Sequence, residues 1–258
     1  MYPNEIIWGL GMYEICIAVG FFLALLYFRI FADRVKLGAT VQNICIIGAV
    51  VALVGGYGCA VLFQAVYNAL EHGRFQITAS TGATFYGGLI GGIAVFLAVY
   101  FIAGRILLKK GEAMQTLPVI SRIAPGSIAV AHALGRIGCL FAGCCHGRVT
   151  NAWYGIYHAY IGQKAVPIQL YEAIFLLLLG ALMTWRLLKG KKGNLMLYLA
   201  LYAVWRFVIE YFRADERGAT LVSFLSPSQL VAVLMFLIGG GFFLYGILRE
   251  RRGDQHEA

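Results

Sequence analysis

Six ionisable residues of this 258-residue chain stand inside otherwise apolar stretches: Glu14, His132, Arg136, Glu172, Arg206 and Glu210. Charges at such depth are costly and face one another or a polar cavity. In the run Arg206-Phe207-Val208-Ile209-Glu210 the two charges are four residues apart, so on a helix they share a face and can pair, with Arg213 one further turn along. That pairing explains Arg206 as part of an internal salt bridge but leaves Arg136 in need of another anion. Two guanidinium forks from separate stretches suit a phosphate, which they can hold bidentately while stabilising charge on a departing phosphate oxygen. A phospholipid headgroup is the anion at hand. His132 lies one turn before Arg136 and can face the same cavity, although a lone histidine is more often a hydrogen-bonded core residue. Tyr13 and Tyr86 sit near the ends of apolar runs, where tyrosine is ordinary interfacial material.

A second cluster is Cys139, Cys144, Cys145 and His146 in the glycine-rich stretch from Gly135 to Gly147. The six cysteines form no CxxC pair, and adjacent cysteines do not readily complete a tetrahedral site, so neither a disulfide framework nor a metal is expected. A neighbouring arginine would lower a thiol pKa, which keeps thiol chemistry open. Small apolar side chains at a tight turn account for the cysteines equally well.

The elements that position these residues must be membrane helices. Hydrophobic residues make up 60% of the chain and charged ones 13%, where a soluble domain carries about a quarter charged, and the mean hydropathy is +0.77. A cytosolic enzyme is excluded. Apolar runs over 12–28, 42–64, 84–104, 117–141, 167–185, 194–212 and 227–247 each approach the roughly 20 residues of a bilayer span. The expected fold is all-α, a single polytopic membrane domain over 1–258 with seven transmembrane helices.

The net charge of +9 could suggest nucleic acid, but the basic residues lie in short connections between apolar runs, where they set topology. No nucleic-acid partner is expected. Arg29, Arg34, Lys36, Arg105, Lys109, Lys110, Arg186, Lys189, Lys191, Lys192, Arg249, Arg251 and Arg252 fall on one side. The other side has only Arg74, Arg148, Lys164, Arg213 and Arg217. The positive-inside rule then places the N-terminus outside and the C-terminus in the cytoplasm. The start, Met1 to Ile7, lacks the basic region of a cleavable signal, so the first apolar run is expected to remain as an anchor. Gly55-Gly56 reads as helix packing, whereas the stretch from Gly135 reads as irregular backbone around a cavity.

Four segments, in order and on the expected outer side, together resemble the prolipoprotein diacylglyceryl transferase family over nearly the whole chain. They are Thr84 to Gly91, Gly135 to Gly138, Gln169-Leu170-Tyr171-Glu172, and Arg206 to Arg213. The second departs from the family's usual Gly-Asn-Phe-x-Asn-Gly-Glu, reading Gly138-Cys139-Leu140-Phe141-Ala142-Gly143-Cys144. Tyr86 and Val166 stand where many members have histidine.

The resemblance implies a bacterial inner-membrane enzyme, active near the outer leaflet. It would transfer the diacylglyceryl group of phosphatidylglycerol to the lipobox cysteine of a prolipoprotein signal peptide, without a cofactor. It implies catalytic work by Arg136, Arg206, Tyr86 and Tyr13, with Glu210 orienting Arg206. Gly87, Gly88, Gly138, Cys139, Gly147, Gln169, Tyr171 and Glu172 would contact substrate. The alternatives are a phospholipid-dependent transferase with another acceptor, and a lipid-binding or thiol redox membrane protein.

Overall fold

The computed structural model describes residues 9–73, 75–78, 81–158, 161–214 and 225–254. Its helices are α1 (Met12–Arg34), α2 (Ala39–His72), α3 (Phe85–Leu107), α4 (Glu112–Ala142), α5 (Ile168–Leu188), α6 (Asn194–Ile209) and α7 (Pro227–Asp254). A 3-10 turn, Glu210–Phe212, follows α6, and strands β1 (Ile156–His158) and β2 (Gln163–Ala165) lie between α4 and α5. Seven of these stretches are long and apolar enough to cross a membrane, matching the seven expected spans one for one. Several helices run past the expected ends, because a helix continues until a residue stops it rather than where hydropathy fades. In α2 the stop is Gly73, whose φ of 71° turns its N–H back onto the carbonyl of Ala69. The start of the chain through Ile7, together with Arg74 and Arg217 of the topology argument, lies outside the described residues.

The chain divides into two compact units. The first to be considered, Ala32–Val119, is an antiparallel pair of helices whose contact is set by glycine. A Cβ at Gly56 would stand 3.1 Å from the carbonyl oxygen of Gly88 and 3.2 Å from the Cα of Gly92. Small residues let the two backbones approach and gain dispersion contact, the driving force left to helices when lipid is as apolar as leucine. Gly87 and Gly88, expected at the substrate, have their open sides filled by Phe63 and Ala60 of α2, so their smallness serves this packing. At the entry to α3, Thr84 donates its hydroxyl to Gln64 at 2.8 Å and its N–H to the carbonyl of Ala60 at 3.1 Å.

The second unit combines Met1–Phe31 with Ile120–Ala258. There α1 meets α4 at two glycines: a Cβ at Gly20 would lie 2.9 Å from Leu134, and one at Gly138 would lie 3.1 Å from Cys16 and 3.2 Å from the carbonyl of Tyr13. Ala129 of α4, Leu179 and Met183 of α5 and Tyr198 of α6 form its buried apolar centre. Among the described residues, the α4–α5 connection holds both strands. Strands β1 and β2 pair antiparallel with Tyr157 opposite Lys164, and Val149 bridges to Ala165 beside them. This ribbon is too short to leave a periodic signal in the sequence.

Gly56 faces backbone, which cannot rotate aside. Gly56→Leu is expected to destabilise the α2–α3 pair by about 1–3 kcal/mol through overpacking. Gly58→Ala, with nothing within 4 Å of the new methyl, should leave stability near wild type. Thermal unfolding in detergent reads the difference.

Candidate active site

Three helices of the second unit each present polar residues at helical spacing. On α4, His132, Arg136 and Cys139 recur at intervals of four and three; on α6 and its 3-10 turn, Tyr202, Arg206 and Glu210 recur every four. Helix α5 adds Gln169 and Glu172, three apart. Such intervals keep side chains on one face, and here the faces meet.

Glu172 is 1% exposed and answers Arg136, the arginine for which the sequence offered no partner. Arg136 Nε lies 2.8 Å from Glu172 Oε2, and Nη2 donates to Oε1 at 3.1 Å. The Tyr202 hydroxyl donates to the same Oε1 at 2.9 Å, and His132 Nε2 is 3.8 Å from it. The His132 ring also packs edge-on against Tyr202, with centroids 5.2 Å apart. Glu172 therefore holds Arg136 in place rather than standing free for a substrate.

The expected pair on α6 is present: Arg206 Nη2 is 2.8 Å from Glu210 Oε2. The same nitrogen donates to Ser228 at 2.9 Å, and Ser226 donates to Glu210 Oε1 at 3.0 Å. Arg206 is 8% exposed, and its Nη1 is buried without a hydrogen-bond partner among the described residues. An unsatisfied buried guanidinium donor is costly unless an acceptor is expected. Arg136 and Arg206 both interact electrostatically with Glu172 and with His132, so the two cations share one neighbourhood.

Arg213 keeps its ion pair with Glu210, its Nε 3.9 Å from Oε2, but not its place on the helix. Helix α6 ends at Ile209, and beyond the 3-10 turn Arg213 is extended, with φ −77° and ψ 151°. Backbone pairing pulls it out of the helix: Gly147 bridges to Arg213, and the Arg148 N–H donates to the carbonyl of Phe212 at 3.0 Å. Gly147 permits this crossing, since a Cβ there would lie 2.8 Å from the Phe212 carbonyl oxygen and 2.9 Å from Val166. Its role is to let three chain segments touch, as Gly138 does for α1 and α4.

The crossing places the glycine- and cysteine-rich turn. Gln169 donates from Nε2 to the carbonyl of Cys144 at 2.5 Å, a shaping contact for the loop. The sulfurs of Cys139, Cys144 and Cys145 all lie within 4.8 Å of one another. Cys144 Sγ donates to the carbonyl of Cys139 at 3.7 Å, and the neighbouring Cys139 and Cys144 thiols, with Arg213 and against the opposing effect of burial, pull the Cys145 thiol below the ordinary cysteine range. Tyr13 is within electrostatic reach of all three cysteines. Glu14, by contrast, accepts the N–H of Gly11 at 3.0 Å and serves the first turn of α1.

Tyr171 is half-buried in the first turn of α5. Tyr86 belongs to the other unit, half-buried at the start of α3 with its ring against Phe85 at 5.6 Å. Sequence reasoning missed Tyr202, Ser226 and Ser228. Extending the Arg206–Glu210 stripe one turn back would have found Tyr202; the serines, just before and within the first turn of α7, gave no local signal.

A family model described as prolipoprotein diacylglyceryl transferase matches residues 5–245. The phosphatidylglycerol–prolipoprotein diacylglyceryl transferase of Clostridium tetani is 30% identical over 217 residues, covering 81% of this chain and 81% of its own. The second such enzyme of Clostridium perfringens is 35% identical over 173 residues, 64% of this chain and 62% of the relative. That of Geobacter sulfurreducens is 30% identical, over 88% and 87% respectively.

Glu172→Gln strands Arg136 as an uncompensated buried cation and is expected to cost about 3–5 kcal/mol. Replacing both partners, Arg136→Met with Glu172→Met, should cost clearly less, and unfolding of the two variants in detergent measures the gap. His158, fully buried in β1 with its ring 5.2 Å from His146, is held below the ordinary histidine range by burial and by that neighbour. Below about pH 6.5 the unfolded chain therefore takes up a proton that folded His158 refuses, so stability present at neutral pH falls as pH drops toward the folded value. His158→Phe should flatten that part of the profile of unfolding temperature against pH.

Proposed function

The chain belongs to the prolipoprotein diacylglyceryl transferase family, and from that premise we propose that Arg136 and Arg206 hold the phosphate of its lipid substrate. The protein is a multi-pass membrane transferase that uses phosphatidylglycerol in lipoprotein biosynthesis. The observation that carries the assignment of the site is Arg206, a buried guanidinium with one end fixed by Glu210 and Ser228 and Nη1 left without a partner.

In this reading the acceptor is the lipobox cysteine of a prolipoprotein signal peptide. Its thiolate forms a bond to the glyceryl carbon as the carbon–oxygen bond to phosphate breaks, and glycerol phosphate leaves with the electron pair. Arg206 donates to the phosphate oxygens, and Arg136, anchored by Glu172, adds a fixed positive field that favours both the thiolate and the departing charge. A cysteine ionises near pH 8.5 when unperturbed, so a strong base is unnecessary. Glu210 positions Arg206. Tyr13 and Tyr86 supply hydrogen bonds or relay a proton; a phenol with a pKa near 10 is a poor base. Gly138, Gly147, Gln169, Tyr171 and Cys139 shape the wall of the site.

The loop charges support an N-terminus outside, a C-terminus in the cytoplasm and a site near the outer leaflet of the inner membrane. The family match runs through both compact units, which supports one functional membrane domain over 1–258.

Membranes carrying the protein, labelled phosphatidylglycerol and a lipobox peptide provide the test, with the lipidated peptide read by mass spectrometry. Wild type should transfer the label. Arg206→Lys should lose at least about tenfold in turnover, because a point ammonium cannot reproduce the planar fork. Tyr86→Phe should lose about tenfold or more, the scale of one hydrogen bond to a charged group at about 1.5–3 kcal/mol, and Tyr86→His should retain activity. A fully active Arg206→Lys would overturn the phosphate assignment.

A further inference from the structure

We propose that Cys139, Cys144 and Cys145 form a binding site for one thiophilic divalent cation, Zn2+, held by three sulfurs. The end of α4 supplies the first sulfur and the turn after it supplies the other two. Side chains of adjacent residues ordinarily diverge, yet here both converge on Cys139, with all three sulfurs within 4.8 Å of one another. The backbone is bent to achieve this. Gly143 has φ 76°, and Cys145, which is not a glycine, has φ 58°, in the left-handed region that costs an L-residue strain. The carbonyl of Cys144 is held by Gln169, and the next glycine, Gly147, is fixed by its N–H to Val166 at 2.8 Å. The strained turn is thus built from both flanks, and what it accomplishes is to aim two successive sulfurs at a third.

All three thiols are free. A tetrahedral zinc with bonds of about 2.3 Å sets its sulfurs about 3.8 Å apart, so a shift of an ångström or less closes the cluster on the ion. An all-sulfur set selects soft d10 cations over magnesium or calcium. Charge then selects among those. Three thiolates around a divalent ion leave one negative charge and around a monovalent ion leave two. Arg213 and Arg136 are both within electrostatic reach of Cys145; Glu172 answers Arg136, and Glu210 is shared between Arg206 and Arg213 at 2.8 and 3.9 Å. Three guanidinium groups against two carboxylates leave one positive charge, which matches the divalent case. On binding, the three thiols ionise and their protons pass to solvent. Among the described residues no fourth histidine, cysteine or carboxylate joins the cluster, so the ion keeps one position for water or another small ligand. Cys144, exposed, gives the ion a way in.

The test uses the full-length protein in detergent, fully reduced, with and without Zn2+, followed by thiol alkylation and mass spectrometry of the peptides. Zn2+ should protect Cys139, Cys144 and Cys145 and leave the labelling of Cys59 unchanged. Co2+ in its place should give thiolate-to-metal charge transfer in the near ultraviolet and tetrahedral bands in the visible, at one ion per chain. Cys139→Ser, Cys144→Ser and Cys145→Ser should each weaken binding by more than about 100-fold, beyond the range of an outer-shell change. Cys45→Ser should not. Unchanged alkylation of the three cysteines in folded wild type, or cobalt bands that persist in all three serine variants, would overturn the site. The wild-type protection pattern decides the matter even if a serine variant fails to fold.

Discussion

The buried ion pair between Glu172 and Arg136 is the constraint around which the second unit is arranged. A carboxylate 1% exposed on a helix of a membrane protein has no water to solvate it, so every favourable contact must come from neighbouring helices. Arg136 meets it at two points, Tyr202 donates a hydroxyl and His132 stands close by. These partners come from α4 and α6, which means that α5 tolerates its glutamate only when both neighbours are in register. The pair is thereby an orientation device, and the alignment of the other polar residues on those faces follows from it.

The two arginines of the site differ in a way that bears on function. Arg136 is engaged by a protein carboxylate through its Nε and Nη2 edge, whereas Arg206 is pinned through Nη2 alone and keeps Nη1 buried and unused. Arg136 is thus held at a fixed angle by its own protein, while Arg206 keeps a buried donor for a ligand. A phosphate gains from both, since a fixed positive charge costs no reorganisation when negative charge develops. Serines from the start of α7 complete the clamp on Arg206 and Glu210, tying that helix end to the site.

Close backbone approach is the second organising theme. Gly56 against Gly88 and Gly92 joins α2 to α3, Gly20 and Gly138 join α1 to α4, and Gly147 lets the cysteine turn pass between Val166 and Phe212. The last of these matters most for chemistry, because it turns Arg213 off the α6 axis and onto the thiol cluster. In a lipid solvent, where apolar burial does little to bring helices together, such contacts fix positions that bulkier side chains would spread apart.

The sequence by itself determined the seven spans, since twenty consecutive apolar residues have no other stable home, and the Arg206–Glu210 pair, since a four-residue interval on one helix fixes two side chains on one face. The family was also legible, carried by four short segments in order. Only the tertiary structure decided that Arg136 is answered by Glu172, 36 residues away, that Tyr202 and Ser228 join the network, and that Cys139 meets Cys144 and Cys145. It also decided that Gly87 and Gly88 are packing residues and that Arg213 leaves the helix. Helix geometry dictates neighbours along a chain. Neighbours between chain segments depend on which faces pack and where a backbone can cross, and neither is set by the spacing of residues within any one segment.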